Sequence, residues 1–98
     1  MAATIRVKDS EEFEKMIQNK DLKISKAIVK GILENLVGKR KNIHVLEIIL
    51  SKEDSIVDIT VHREDFIETL EENLKTFIYH EEYEACSGIK KAIDYLKT

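Results

Sequence analysis

Apolar and polar positions alternate in this chain with two different periods, and the change of period marks out its elements. Residues 4–8 (Thr-Ile-Arg-Val-Lys) alternate, which predicts a short strand with Ile5 and Val7 facing inward. Asp9 or Ser10 then caps a short helix. Glu12 follows Asp9 at capping-box spacing, Glu11 and Glu12 suit the positive end of the helix dipole, and Phe13, Met16 and Ile17 form the apolar stripe. A longer helix is expected from Ser25, with Ile28, Ile32, Leu33, Leu36 and Val37 on its buried face. Gly38 stands where a left-handed terminating residue is wanted, and Lys39, Arg40 and Lys41 lie near the negative end of that helix. Gly31 inside the helix costs about 1 kcal/mol against alanine, which points to close packing at that position.

Residues 43–50 and 56–62 return to period two and predict a β-hairpin around residues 51–55. Leu46, Ile48 and Leu50 share one face of the first strand, and Val57, Ile59 and Val61 share one face of the second. Matching these faces requires even positions to pair with odd ones; a slip of one residue would set Glu47 beside Ile59. The same parity places His44 on the face of Leu46 and His62 on the face of Asp58 and Thr60. Two amphipathic helices finish the chain. The first spans about residues 64–78, with Phe66, Ile67, Leu70, Leu74, Phe77 and Ile78 on one side. The second spans about residues 82–96, with Tyr83, Cys86, Ile89, Ile93 and Leu96 inward. The turn at Tyr79-His80-Glu81 is short enough to force antiparallel packing. The expected fold is α+β in the order β-α-α-β-β-α-α: a small antiparallel sheet, helices on one of its faces, and a C-terminal helical hairpin.

A chain of 98 residues makes one domain, spanning 1–98, with little area left for a deep enclosed active site. Its 36% charged residues imply helices with long wet faces. Cys86 is the sole cysteine, so an intrachain disulfide is impossible and a Cys-based zinc site lacks ligands. Residues 1–9 hold no apolar run of the secretion-signal kind, and the longest apolar stretch, Ile48-Ile49-Leu50, is far too short to span a membrane. A soluble cytoplasmic protein without a membrane partner is expected. The net charge of −3 conceals an asymmetry. Residues 20–41 carry seven cations against two anions, a balance of +5, whereas residues 64–84 carry eight anions against one cation, a balance of −7. Such a molecule is electrostatically two-ended, which steers partners.

The candidate chemistry is sparse. His44 and His62 invite a metal site, but on opposite faces they cannot share an ion. His80 and Glu84 stand at i and i+4 without a third ligand, and a solvated acidic turn accounts for them better. Cys86 falls on a packing face beside an acidic run, without the nearby base and electropositive setting a nucleophilic thiol needs, and reads as core filler. Three glycines, Gly31, Gly38 and Gly88, are too scattered for a phosphate-binding loop. No acid, base, nucleophile or metal set can be assembled, and no cofactor is implied. The best polar patch is basic: Lys23, Lys26 and Lys30 at i, i+3 and i+7, then Lys39, Arg40 and Lys41. It suits phosphate contact, although no aromatic residue is interleaved for base stacking and the pI of about 5.6 is low for a nucleic-acid binder.

The last third of the chain carries a family resemblance. Leu70, Leu74 and Phe77, then Tyr83-Glu84, Cys86-Ser87, Ile89, Lys90, Ile93 and Leu96, are spaced as in the UVR motif. That helical hairpin is found in the UvrB and UvrC excision-repair proteins and in some Clp-type unfoldases and their regulators. Lys91 reverses the charge the motif commonly has there, and Gly88 replaces a strong helix former. The resemblance implies a non-catalytic hairpin that pairs with another hairpin or docks on a partner. The chain is also similar to the small Lys/Glu/Ile-rich accessory proteins of tailed phages, with no motif behind that similarity.

The function expected from these features is a non-enzymatic protein–protein interaction module, an adaptor or modulator of a larger machine. It would bind through Phe77, Tyr79, Tyr83, Ile89 and Lys90, and another copy of the chain is one candidate partner. The alternative is a small regulatory nucleic-acid-binding protein using Lys23, Lys26, Lys30, Lys39, Arg40 and Lys41.

Overall fold

A computed structural model describes residues 2–98 of the chain. The elements are β1 (Ala3–Val7), α1 (Ser10–Gln18), α2 (Leu22–Leu33), β2 (Asn42–Leu50), β3 (Ser55–His62), a 3-10 turn at Arg63–Asp65, α3 (Phe66–Tyr79) and α4 (Tyr83–Lys97). The expected α+β class and the order β-α-α-β-β-α-α are both present, as is the α3–α4 hairpin. The sheet order is β1-β2-β3. β2 and β3 form the antiparallel hairpin, but β1 runs parallel to β2 with Ile5 opposite Ile48, so the sheet is mixed rather than wholly antiparallel. A local apolar pattern sets which face of β1 is buried and leaves its direction open; the path of α1 and α2 between β1 and β2 decides that.

Pairing in the body of the hairpin follows the apolar faces: Leu46 lies opposite Ile59, Ile48 opposite Val57, and Glu47 opposite Asp58 on the outer face. A β-bulge between His44 and Leu46 then shifts the register, so His44 pairs with Thr60 and Asn42 with His62. The extra residue, Val45, is buried beside an equally buried Leu46. One consequence corrects the face assigned to His44. It is turned outward onto the face of Asp58, Thr60 and His62, and its Nε2 lies 3.0 Å from Asp58 Oδ1.

The helices cover the opposite face. Val29 and Ile32 of α2, Phe66, Leu70 and Phe77 of α3, and Ile89 and Ile93 of α4 enclose Leu46 and Ile48 in a continuous core. Two helix ends are closed by Schellman motifs, in which a left-handed residue lets the chain turn back on the last carbonyls. At α1, Lys20 (φ 53°) and Asp21 donate to the Ile17 and Met16 carbonyls at 3.1 and 3.0 Å. At α3, Glu81 (φ 59°) and Glu82 donate to the Ile78 and Phe77 carbonyls at 3.0 and 2.9 Å. The start of α1 is fixed as expected: Asp9 Oδ1 accepts from Glu12 N, and Glu12 Oε2 reaches back to Lys8 N.

α2 departs from its expected bounds at both ends. It begins at Leu22 instead of Ser25, because Asp21 closes α1 and also caps α2, accepting from Lys23 N at 2.8 Å. It ends at Leu33, ahead of the expected stop at Gly38. Asn35 Nδ2 donates to the Gly31 carbonyl at 2.8 Å, and Arg63 takes the carbonyls of Asn35 and Leu36, so the helical ladder has nothing to continue into. Gly38 does not adopt a left-handed conformation, and Val37, expected on the buried face, is 82% exposed. Ser25, expected at the helix start, lies instead on the buried face of α2.

Candidate interaction surface

The Schellman turns after α1 and α3 meet. His80 Nε2 lies 2.7 Å from the Lys20 carbonyl. A carbonyl only accepts, so Nε2 is the protonated nitrogen. The Lys20 ammonium sits 4.9 Å from the centroid of the Tyr79 ring, and the His80 ring meets Tyr79 edge-on at 5.1 Å. Lys26, one turn further along α2, pairs with Glu82 at 3.8 Å. These contacts bring the basic segment against the acidic α3–α4 turn, so the two charge blocks read from the sequence adjoin here instead of occupying opposite ends.

The five residues expected to bind a partner divide into two groups. Phe77 and Ile89 are buried in the core, where they support α3 and α4 from beneath and present nothing to a partner. Tyr79, Tyr83 and Lys90 are exposed, Tyr79 at 64% and Tyr83 at 61%. Ile78, also expected inward, is exposed beside them. The turn of the hairpin is therefore wet and aromatic, and its conformation is fixed by the Schellman bonds and by the stitch to Lys20; Tyr95, 51% exposed, stands near the other end of α4.

Lys23, Lys26 and Lys30 are all exposed on α2, with Lys26 engaged by Glu82. Lys39, Arg40 and Lys41 are exposed on the segment between α2 and β2. Arg63 braces that segment. Its guanidinium donates to the carbonyls of Asn35 (2.8 Å), Leu36 (3.3 Å) and Arg40 (2.6 Å) while lying 4.9 Å from the Phe66 ring centroid. Its backbone N–H donates to the Lys41 carbonyl at 2.6 Å. Nothing in the sequence around Arg63 announces this role, because every carbonyl it donates to lies more than twenty residues away.

His44 and His62 share the outer face of the sheet, contrary to the parity argument, and each has a neighbour of its own. His44 meets Asp58, and His62 Nδ1 meets Asn42 Oδ1. Cys86 is buried. Among the described residues, no three His, Cys, Asp or Glu side chains come together as metal ligands, and no helix is long and apolar enough to cross a membrane.

A cleft of about 320 Å³ opens between α1, α2 and α3, next to the stitched turns. Leu46, Ile59 and Ile28 line its apolar depth, and Phe13, Met16 and Ile17 line the α1 side. Ser25, Asn73 and Thr76 add polar groups, with Lys20, Asp21, Ile24 and Glu72 completing the lining. The sequence carried one hint of this cleft: α1 is only nine residues long and offers a three-residue stripe. Phe13 and Met16 are only half-buried and Ile17 is 55% exposed. The chain matches no family model, no curated protein and no solved structure.

Proposed function

We propose that this protein is a non-enzymatic protein–protein interaction module, an adaptor or modulator of a larger cytoplasmic machine, and that it docks through the α3–α4 turn. One observation carries the reading: Tyr79 and Tyr83 stand exposed on a turn whose backbone is already fixed. Tyrosines held in this way supply large amphipathic contact area at little ordering cost, which is what interface anchors require. Ile78 and Lys90 extend the surface, and the UVR-like spacing of the hairpin agrees with a docking role.

Affinity capture from host lysate, comparing the native chain with Tyr79→Ala and Tyr83→Ala, tests the reading. The same prey should be retained by the native chain and lost from both variants, with helical circular dichroism unchanged. Equal recovery of that prey by the folded variants would remove the turn from the account.

A second reading, regulatory nucleic-acid binding, is favoured by the Arg63 brace, which presents Lys39, Arg40 and Lys41 on an ordered segment. Phosphate contact through such a segment gives affinity that falls steeply with salt. Retention on a polyanion matrix, abolished by neutralising these three residues, is its test.

A further inference from the structure

We infer that the cleft between α1, α2 and α3 is a binding site for a small uncharged, mainly apolar molecule bearing a hydroxyl or N–H group. The inference does not depend on the docking reading. Ser25 is the starting point. It is the one buried polar residue among the described residues, 6% exposed, and it lines the cleft. Its hydroxyl has no hydrogen-bond partner among the described residues, yet no side-chain oxygen or nitrogen among them is sealed from solvent without a partner. The Ser25 oxygen therefore opens into the cleft. A hydroxyl that the protein itself does not engage and that faces an apolar cleft is free to bond a polar group of whatever occupies it.

The opposite wall supplies a complementary group. Asn73 Nδ2 is committed to the Thr69 carbonyl at 2.8 Å, which leaves its Oδ1 as an acceptor. A ligand hydroxyl or N–H donates to Asn73, and a ligand hydroxyl also accepts from Ser25. The surrounding apolar side chains, Ile28, Leu46 and Ile59 in the depth and Phe13 and Met16 at the side, select a hydrophobic body. The volume of about 320 Å³ is roughly twice a cavity that holds benzene, so it accommodates a two-ring molecule. The charges at the mouth argue against an anion. Asp21 is used as the α2 cap, Lys20 is held over Tyr79, and the Glu72 carboxylate has no ion-pair partner among the described residues. With one cation, Lys20, against two carboxylates, Asp21 and Glu72, an incoming carboxylate or sulfonate meets a net negative charge.

The half-buried state of α1 fits the same picture. Its apolar stripe faces the cleft without closing it, so an apolar body inserted there finds a wall already in place.

The experiment is a titration of isotope-labelled full chain with 1-naphthol, followed by amide chemical shifts. Saturable binding with a Kd below about 1 mM is expected, with the shifts concentrated at Met16, Ser25, Ile28, Asn73 and Thr76. Naphthalene-1-sulfonate should bind at least about tenfold more weakly. Ser25→Ala should weaken 1-naphthol about five- to tenfold, the worth of one hydrogen bond. Filling the cleft with Ile28→Phe, or with Ile24→Trp should the first variant misfold, should abolish binding with the amide spectrum still dispersed. Non-saturable shifts, shifts located elsewhere, equal binding of the sulfonate, or undiminished binding by a folded cleft-filling variant would each overturn the assignment.

Discussion

Gly31 of α2 and Val45 of β2 approach so closely that a methyl group on the glycine would overlap Val45 Cγ1 and stand 3.0 Å from Val45 Cβ. Val45 is the residue added by the bulge, so helix and bulge are fitted to one another. Gly31→Ala gains about 1 kcal/mol of helix propensity but forces the helix off the strand, a cost of about 1–3 kcal/mol in a packed core. Because the collision includes the valine Cβ, which cannot swing aside, the net effect is expected to be a loss of up to about 2 kcal/mol. Urea unfolding measures it. Val45→Ala in the same background should recover part of the loss, since it removes the colliding methyl groups.

Gly88 gives the opposite expectation. Among the described residues, nothing beyond its own helix backbone and chain neighbours stands within 4 Å of the place a Cβ would take, and the residue lies inside α4. Gly88→Ala should raise stability by about 1 kcal/mol, seen as a higher urea midpoint at unchanged slope.

Glu81 holds a left-handed conformation that glycine adopts without steric cost. Glu81→Gly should stabilise the α3–α4 turn by roughly 1 kcal/mol and leave Tyr79 and Tyr83 in place. Thermal unfolding reads the first effect and near-ultraviolet circular dichroism the second.

Much of the fold was legible in the sequence because most of its signals are local. Asp9 and Glu12 cap α1 as their spacing required, and the pairing of Leu46 with Ile59 and Ile48 with Val57 followed from two alternating faces. What escaped depends on distant contacts. Parity reasoning assumes an unbroken ladder, and the single extra residue at Val45 reversed the side on which His44 stands. Periodicity carried α2 through Leu36 and Val37, whereas Asn35 and Arg63 claim the carbonyls the helix would need. The candidate surface divided for a related reason. Phe77 and Tyr79 are two residues apart and both aromatic, but one faces the core and the other solvent. Charge blocks were counted along the chain, and the chain folds Lys26 onto Glu82.

Arg63 is the residue whose loss should be felt furthest from its own position. Arg63→Ala leaves three backbone carbonyls between Asn35 and Arg40 without their donor. Stability should fall by about 2 kcal/mol, because bonds from a charged donor are stronger than neutral ones. Amide hydrogen exchange should accelerate in residues 34–41 more than in the α3–α4 hairpin. Arg63→Lys should not restore the native state, since an ammonium cannot reproduce the planar fork that reaches three carbonyls.

The docking claim is tested most directly by placing a photo-crosslinking amino acid at Tyr83 and, separately, at Thr60 on the outer face of the sheet, then irradiating each protein in host lysate. A discrete crosslinked species from position 83, absent from position 60 and suppressed by excess native chain, is the predicted result. Crosslinking from position 60 with none from position 83 would contradict the account, because the partner would then be bound by the sheet.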